Sequence, residues 1–188
     1  MPALAAPAAL PDVAVILIVR DPGDTPDAVL DALAAQPEAA GFALIVVDGR
    51  PEAGSAPRHD RPGMTVIRAP GLNMPQLKAR GVAAATATAL AFLEPKAVPA
   101  PGWAAALVRA RAAAPDAALG GTVRLAGRHT AADQAAFIFE YADFSAAQLM
   151  SGRTRDLPGN NMVLPRAALH FVHKLLAGHG KDERVPID

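Results

Sequence analysis

Seven consecutive apolar residues, Val13 to Val19, mostly β-branched, begin the patterned part of the chain and stop at Asp21-Pro22-Gly23. A run this short, apolar at every position and not only at alternate ones, predicts a strand buried on both faces, as in parallel sheets. Thr25-Pro26-Asp27 then has the order of a helix N-cap with proline at the first helical position. Val29, Leu30 and Leu33 share one stripe before the break at Pro37. A second buried strand is predicted over Phe42 to Val47, ended by Asp48-Gly49, and a polar loop rich in Pro and Gly runs from Arg50 to Gly63. Met64 to Arg68 reads as a third short strand.

From Pro75 to Leu90 the Ala-rich composition predicts a helix carrying Leu77, Val82 and Leu90, with a strand beginning at Ala91 to Leu93. The loop Glu94 to Pro101 contains three prolines. A helix is predicted over Trp103 to Ala114, a strand over Ala118 to Leu125, and a helix from Thr130 to Leu149 whose Thr130 and Asp133 have capping-box spacing. Met162 to Leu164 reads as a short strand and Arg166 to Leu176 as a terminal helix. Residues 1–11 form an Ala/Pro-rich lead-in without periodicity, and 12–188 form a single domain. Strands alternating with helices predict an α/β fold, three-layer α/β/α, with a mostly parallel central sheet. Ligands of such sheets bind beyond the carboxyl ends of the strands, so the loops after Val19, Val47 and Leu93 are where chemistry is to be sought.

Composition narrows the classes. Eighteen basic residues balance eighteen acidic ones, which leaves no net field to gather nucleic acid or an anionic membrane, although one local face can still touch a membrane surface. The chain is 52% hydrophobic but 4% aromatic, so its core is built of small aliphatic side chains. Absence of cysteine removes disulfides, thiolate nucleophiles and Cys-ligated metals. No apolar stretch reaches the 20 or so residues a spanning helix needs, and Arg20 follows the first apolar run where a signal peptide needs its basic residue ahead of it. A cytoplasmic location is expected. A dinucleotide-dependent oxidoreductase is ranked last, because no G-x-G-x-x-G follows the first strand.

Four segments, in order, resemble the family-2 type glycosyltransferases of the GT-A fold: VAVILIVRDPGDTPDAVLDALAAQ, ALIVVDGRPE, GLNMPQLKARGVAAATATALAFLEPKAVPAPGW, and LGGTV with LPGNNMVLPRAAL downstream. The resemblance covers about Val13 to Leu169 and implies binding of a nucleoside-diphosphate sugar and transfer of the sugar to an acceptor hydroxyl, as yet unknown. Such a reaction needs charge stabilisation on the departing diphosphate and a general base on the hydroxyl. The family supplies the charge with Mg²⁺ or Mn²⁺ on a D-x-D motif. Here that motif reads Glu94-Pro95-Lys96, which leaves Glu94 as a lone metal ligand and sets a cation against the ion.

The resemblance implies that Asp48 hydrogen-bonds the nucleotide base, with Asp21 beside it, although Asp followed by Gly or Pro is also ordinary turn chemistry. Lys78 stands where the family usually has an arginine. Lys78 and Arg80, two apart on one helix, do not share a face, so one points to the phosphates and the other to solvent. Lys96 either neutralises the diphosphate or pairs with Glu94 at the surface. Trp103 either packs a loop onto the core or lines the sugar pocket. Asp182 and Glu183 lie where the family places its base, with Asp182 preferred. His170, His173 and His179 invite a metal reading but lack a carboxylate partner, and a solvated helix face fits them as well. Without D-x-D, and with the base so near the end of the chain, transfer is expected to be weak or absent. The alternative from another class is a non-catalytic GT-A-like interaction or scaffold domain.

Overall fold

The computed structural model of the chain describes residues 13–24, 26–51, 63–127, 129–145, 154 and 156–169. The lead-in 1–11, the Thr25 cap, the three histidines, Asp182 and Glu183 lie outside the described residues.

The first strand, β1 (Val13–Val19), is buried along its whole length. Its neighbours explain why: β2 (Ala43–Asp48) pairs with it in parallel on one side and β4 (Ala89–Leu93) in parallel on the other. Outside β2 lies β3 (Met64–Arg68), also parallel. Beyond β4 come β6 (Asn161–Pro165), antiparallel to it, and a two-residue β5 (Leu119–Gly120), antiparallel to β6. The sheet order is β3-β2-β1-β4-β6-β5. It is thus a mostly parallel sheet with an antiparallel margin.

Because side chains alternate along a strand, β1 feeds two cores at once. Val13, Val15, Leu17 and Val19 face a layer holding Val29, Leu30 and Leu33 of α1 (Asp27–Ala34) and Ala104 and Leu107 of α3 (Trp103–Ala113). Ala14, Ile16 and Ile18 face the other layer, where α2 (Met74–Ala84) contributes Leu77. The result is the expected α/β/α arrangement. Gln36 locks the first layer, donating to the carbonyl of Ala32 and accepting from the amide of Ala104 at 2.8 Å. Arg166 locks the second, donating to the carbonyls of Ala87 and Ala85.

Several element boundaries depart from expectation. The predicted helix over Pro75 to Leu90 is split: α2 stops at Ala84, Ala85 is extended, and Ala89 and Leu90 belong to β4. Helix propensity of alanine yields here to tertiary position, since Ala89 and Leu90 are fully buried between β1 and β6. The strand predicted from Ala118 to Leu125 shrinks to Leu119–Gly120, where Leu157 and Asn161 press against the two glycines. Helix α1 starts at Asp27 with Pro26 in the N-cap position and no side-chain cap. Helix α4 (Ala131–Tyr141) has the predicted capping box between Thr130 and Asp133 but stops short of the predicted Leu149: a 3-10 turn over Ala142–Phe144 follows it, and Ser145 is extended. A second box, Asn73 with Gln76, opens α2 and was not read from the sequence.

No residue of α4 is buried, and Phe139 is 94% exposed. Among the described residues no helix is long and apolar enough to cross a membrane.

Candidate functional site

The chain runs outward from β1 to β2 and β3, then returns through α2 to β4 on the opposite flank of β1. Such a reversal of direction opens a crevice at the carboxyl ends of the two strands between which it occurs, here β1 and β4. Asp48, the last residue of β2, and Glu94, the first after β4, lie at this same edge, with β1 between them. Asp21 follows β1 at the edge as well.

Asp48 is 1% exposed, and its carboxylate is fully engaged. Oδ1 accepts from the backbone N–H and from Nε of Arg50, both at 3.0 Å; Oδ2 accepts from Arg50 Nη2 at 2.8 Å and from Arg68 Nη1 at 2.5 Å. A carboxylate has about four lone-pair directions, and these four donors use them all. Burial alone would raise the Asp48 pKa, but the hydrogen bonds from Arg50 and Arg68 outweigh it and hold the carboxyl below its usual range. Arg50, 7% exposed, is held protonated chiefly by its bonds to Asp48. Arg68 ends β3 directly opposite Asp48 in the parallel register and also donates to the Arg50 carbonyl at 3.2 Å.

Asp21 is exposed and pairs with Arg20 at 3.1 Å at the surface, as turn chemistry. The residue that organises this loop is Asp24, buried, whose Oδ2 accepts from the amides of Arg20 and Asp21. Glu94 is half-buried and Lys96 exposed. The Glu94 carbonyl closes a turn by accepting from the Ala97 amide, and no ion pair joins Glu94 to Lys96 among the described residues. Lys78, half-buried on α2, places Nζ 5.8 Å from the centroid of the Phe92 ring and 4.0 Å from where a Cβ on Gly159 would lie. Arg80 is exposed, so the two cations of α2 do part as expected.

Trp103 opens α3, donating its indole N–H to Asn161 Oδ1 at 3.0 Å and packing edge-on against Phe42. It fastens the first helical layer to the start of β6. Beside it Asn160 is buried with Oδ1 unpartnered among the described residues. Burial, then a hydrogen bond with Glu140, pushes the Tyr141 phenol up to about 12, and the charge of Glu94 adds to the effect.

Sequence reading thus found Asp48, Glu94 and Lys78 as strand-end or helix residues of this edge but missed Arg50, Arg68, Asn160 and Tyr141. For Arg68 a signal existed: it ends a predicted strand, and parallel neighbours bring their last residues together.

As for metal, one half-buried glutamate two residues from a lysine is a poor donor set for a divalent ion. No cluster of three or more His, Asp or Glu side chains suited to a metal occurs among the described residues. The described residues at this edge do not fit the D-x-D-bound ion that the resemblance implies.

No protein-family model matches the chain, and no curated protein matches it. Solved structures do. The mannosyltransferase PcManGT from Pyrobaculum calidifontis, in complex with GDP-Man and Mn²⁺, is 16% identical with a TM-score of 0.62 over 92% of this chain and 50% of its own. TarS residues 1–349 from S. aureus is 12% identical with a TM-score of 0.59 over 86% of this chain and 49% of its own; its complex with UDP-GlcNAc gives the same identity and score over 47% of its length. The chain therefore spans about half the length of these structures. At such identities the likeness concerns the fold, and the fold of this chain is the GT-A-like α/β/α architecture of its glycosyltransferase neighbours.

Proposed function

We propose that the carboxyl edge of this sheet binds a nucleoside-diphosphate sugar and that the sugar is passed to an acceptor hydroxyl. The observation that carries the reading is the gathering of Asp21, Asp48 and Glu94 at one edge, where strand order reverses between β1 and β4. Ligands of open α/β sheets lodge at that reversal. Neighbours bearing UDP-GlcNAc and GDP-Man in the same architecture add weight.

In this reading the diphosphate lies at the β1/β4 crevice and the nucleoside over the ends of β2 and β3. Lys78 and Lys96 supply positive charge to the departing diphosphate, the work that a metal does elsewhere. Glu94 faces the same crevice without a second carboxylate to share an ion. Asp48 acts by holding Arg50 and Arg68, since its own lone pairs are taken. Trp103 borders the sugar end through Asn161. Asp182 is the proposed base on the strength of the resemblance.

Calorimetric titration of the 188-residue chain with UDP and GDP, with and without EDTA, tests the proposal. Binding is expected, changed less than threefold by the chelator. A tenfold loss on chelation, about 1.4 kcal/mol, would show that a metal is required and that the roles given to the lysines are wrong. Absence of binding to either nucleotide would return the chain to the interaction-module reading.

A further inference from the structure

We infer that the outer edge of β3 is where a second copy of this chain pairs, antiparallel and across a two-fold axis through Val66, so that two six-stranded sheets join into one. Strand β3 stands at one end of the strand order and β5 at the other. The β5 edge is blunt, with two residues of which one is glycine. The β3 edge is five residues long, MTVIR, and lacks the proline, lysine or carboxylate with which sheets commonly guard an edge. The middle of the strand is open on both faces as well. Thr65 and Val66 point to opposite sides of the sheet, and both are exposed, Val66 by 41%.

The bonds on the inner side of β3 show which amides its outer side offers. The Gly63 carbonyl accepts from the Leu44 amide, and the Ala69 amide donates to the Asp48 carbonyl. Along a strand the residues that bond a given neighbour alternate, so Gly63, Thr65, Ile67 and Ala69 turn their peptide groups toward β2, and Met64, Val66 and Arg68 turn theirs outward. Those three outward residues have no backbone partner among the described residues. A second copy matches them by register. Antiparallel pairing about Val66 sets Val66 opposite the partner's Val66 and Met64 opposite the partner's Arg68, so every outward residue of one copy exchanges both its N–H and its C=O with an outward residue of the other. Sliding the copies by two residues leaves Val66 paired but strands either Met64 or Arg68. The side chains agree with the same register: Thr65 meets the partner's Ile67 on one face, Val66 meets its own kind on the other, and the two Arg68 guanidinium groups stand at opposite ends of the ladder, so no like charges are opposed. A peptide of unrelated sequence would find the same amides without this match. Because Arg68 bonds Asp48, each copy then borders the other's carboxylate cluster.

The test is sedimentation equilibrium of the full chain, of Val66→Pro and of Val66→Lys across the micromolar range, where an interface as small as one strand pair should associate. The wild type is expected to pass from monomer to dimer as concentration rises. Val66→Pro removes an outward N–H that β2 does not use, and Val66→Lys sets two cations face to face across the axis; both should stay monomeric with thermal melts close to the wild type. The chain has no cysteine of its own, which allows the register to be read directly. Hydrogen-bonded antiparallel partners lie about 5.5 Å apart between Cα atoms, inside the roughly 4.4–6.8 Å that a disulfide spans. Under mild oxidation Val66→Cys should therefore cross-link at least about tenfold faster than Thr65→Cys, whose two copies stand out of line by two residues. If Val66→Pro melts early, Val66→Lys and the cysteine pair still decide. A wild type that remains monomeric throughout would overturn the inference. Dimers that persist in both Val66→Pro and Val66→Lys would put the contact on another surface and overturn it too, as would equal cross-linking of the two cysteine variants.

Discussion

Asp48 joins the ends of β2 and β3 through two arginines, and the charge is affordable only because both oxygens are bonded. Asp48→Asn removes the charge and leaves Arg50 buried with half its partner gone. Breaking a buried pair from one side costs about 3–5 kcal/mol, much more than losing the exposed Arg20–Asp21 pair at about 0–1 kcal/mol. Urea unfolding of Asp48→Asn and Asp21→Asn should show this contrast, and equal midpoints would refute it. The pH dependence has a definite sign. The folded carboxyl titrates below its unfolded value of about 3.9, so its contribution is complete above that pH and fades as pH falls through the lower folded value. The stability gap between wild type and Asp48→Asn should be flat from pH 8 to 5 and narrow toward pH 2. Of this cluster the sequence showed only Asp48, as the acidic end of a buried strand. Arg50 lies in a loop and Arg68 on a separate strand, and what joins them is the register Asp48↔Arg68, which no local pattern contains.

Helix α2 meets the sheet through a missing side chain. A Cβ added to Gly81 would lie 2.4 Å from Cγ2 of Ile16, a buried residue on the central strand. Alanine at this position gains about 1 kcal/mol of helix propensity but costs about 1–3 kcal/mol of overpacking against a side chain with little room to move. The net effect of Gly81→Ala should be a loss on the order of 1 kcal/mol, a fall in Tm of about 2–4 °C for a chain of this size. A rise in Tm would show that α2 lifts off the sheet more easily than this contact implies. Elements were readable where pattern was strong. The continuous apolar runs of β1 and β2 announced buried parallel strands, and Thr130 with Asp133 announced a helix start. The alanines from Ala83 to Ala91 were not readable, because alanine serves equally as a helix former and as a small filler of a tight sheet centre. Only the pairing of β4 with both β1 and β6 decides between them.

At the scale of the molecule, the strand order has a consequence for synthesis. Strand β1 is made before either of its partners and ends between them, with β2 on one side and β4 on the other. A ribosome adds about 5–20 residues per second, and β4 is completed about 70 residues after β1, so VAVILIV waits on the order of 4 to 14 s with one flank open. Seven successive apolar, β-prone residues without a charge are the kind of segment that captures other chains while it waits. A nascent product stopped at Thr88, before β4, should therefore collect in the pellet or on holdase chaperones, and one extended through β6 to Leu169 should stay in the supernatant. Fractionating the two products from a cell-free translation checks this, and equal solubility would mean that α1 and β2 alone suffice to cover the strand. The crevice that the reversed strand order opens at one edge is thus matched by a period of exposure during synthesis, because the same late return of the chain creates both.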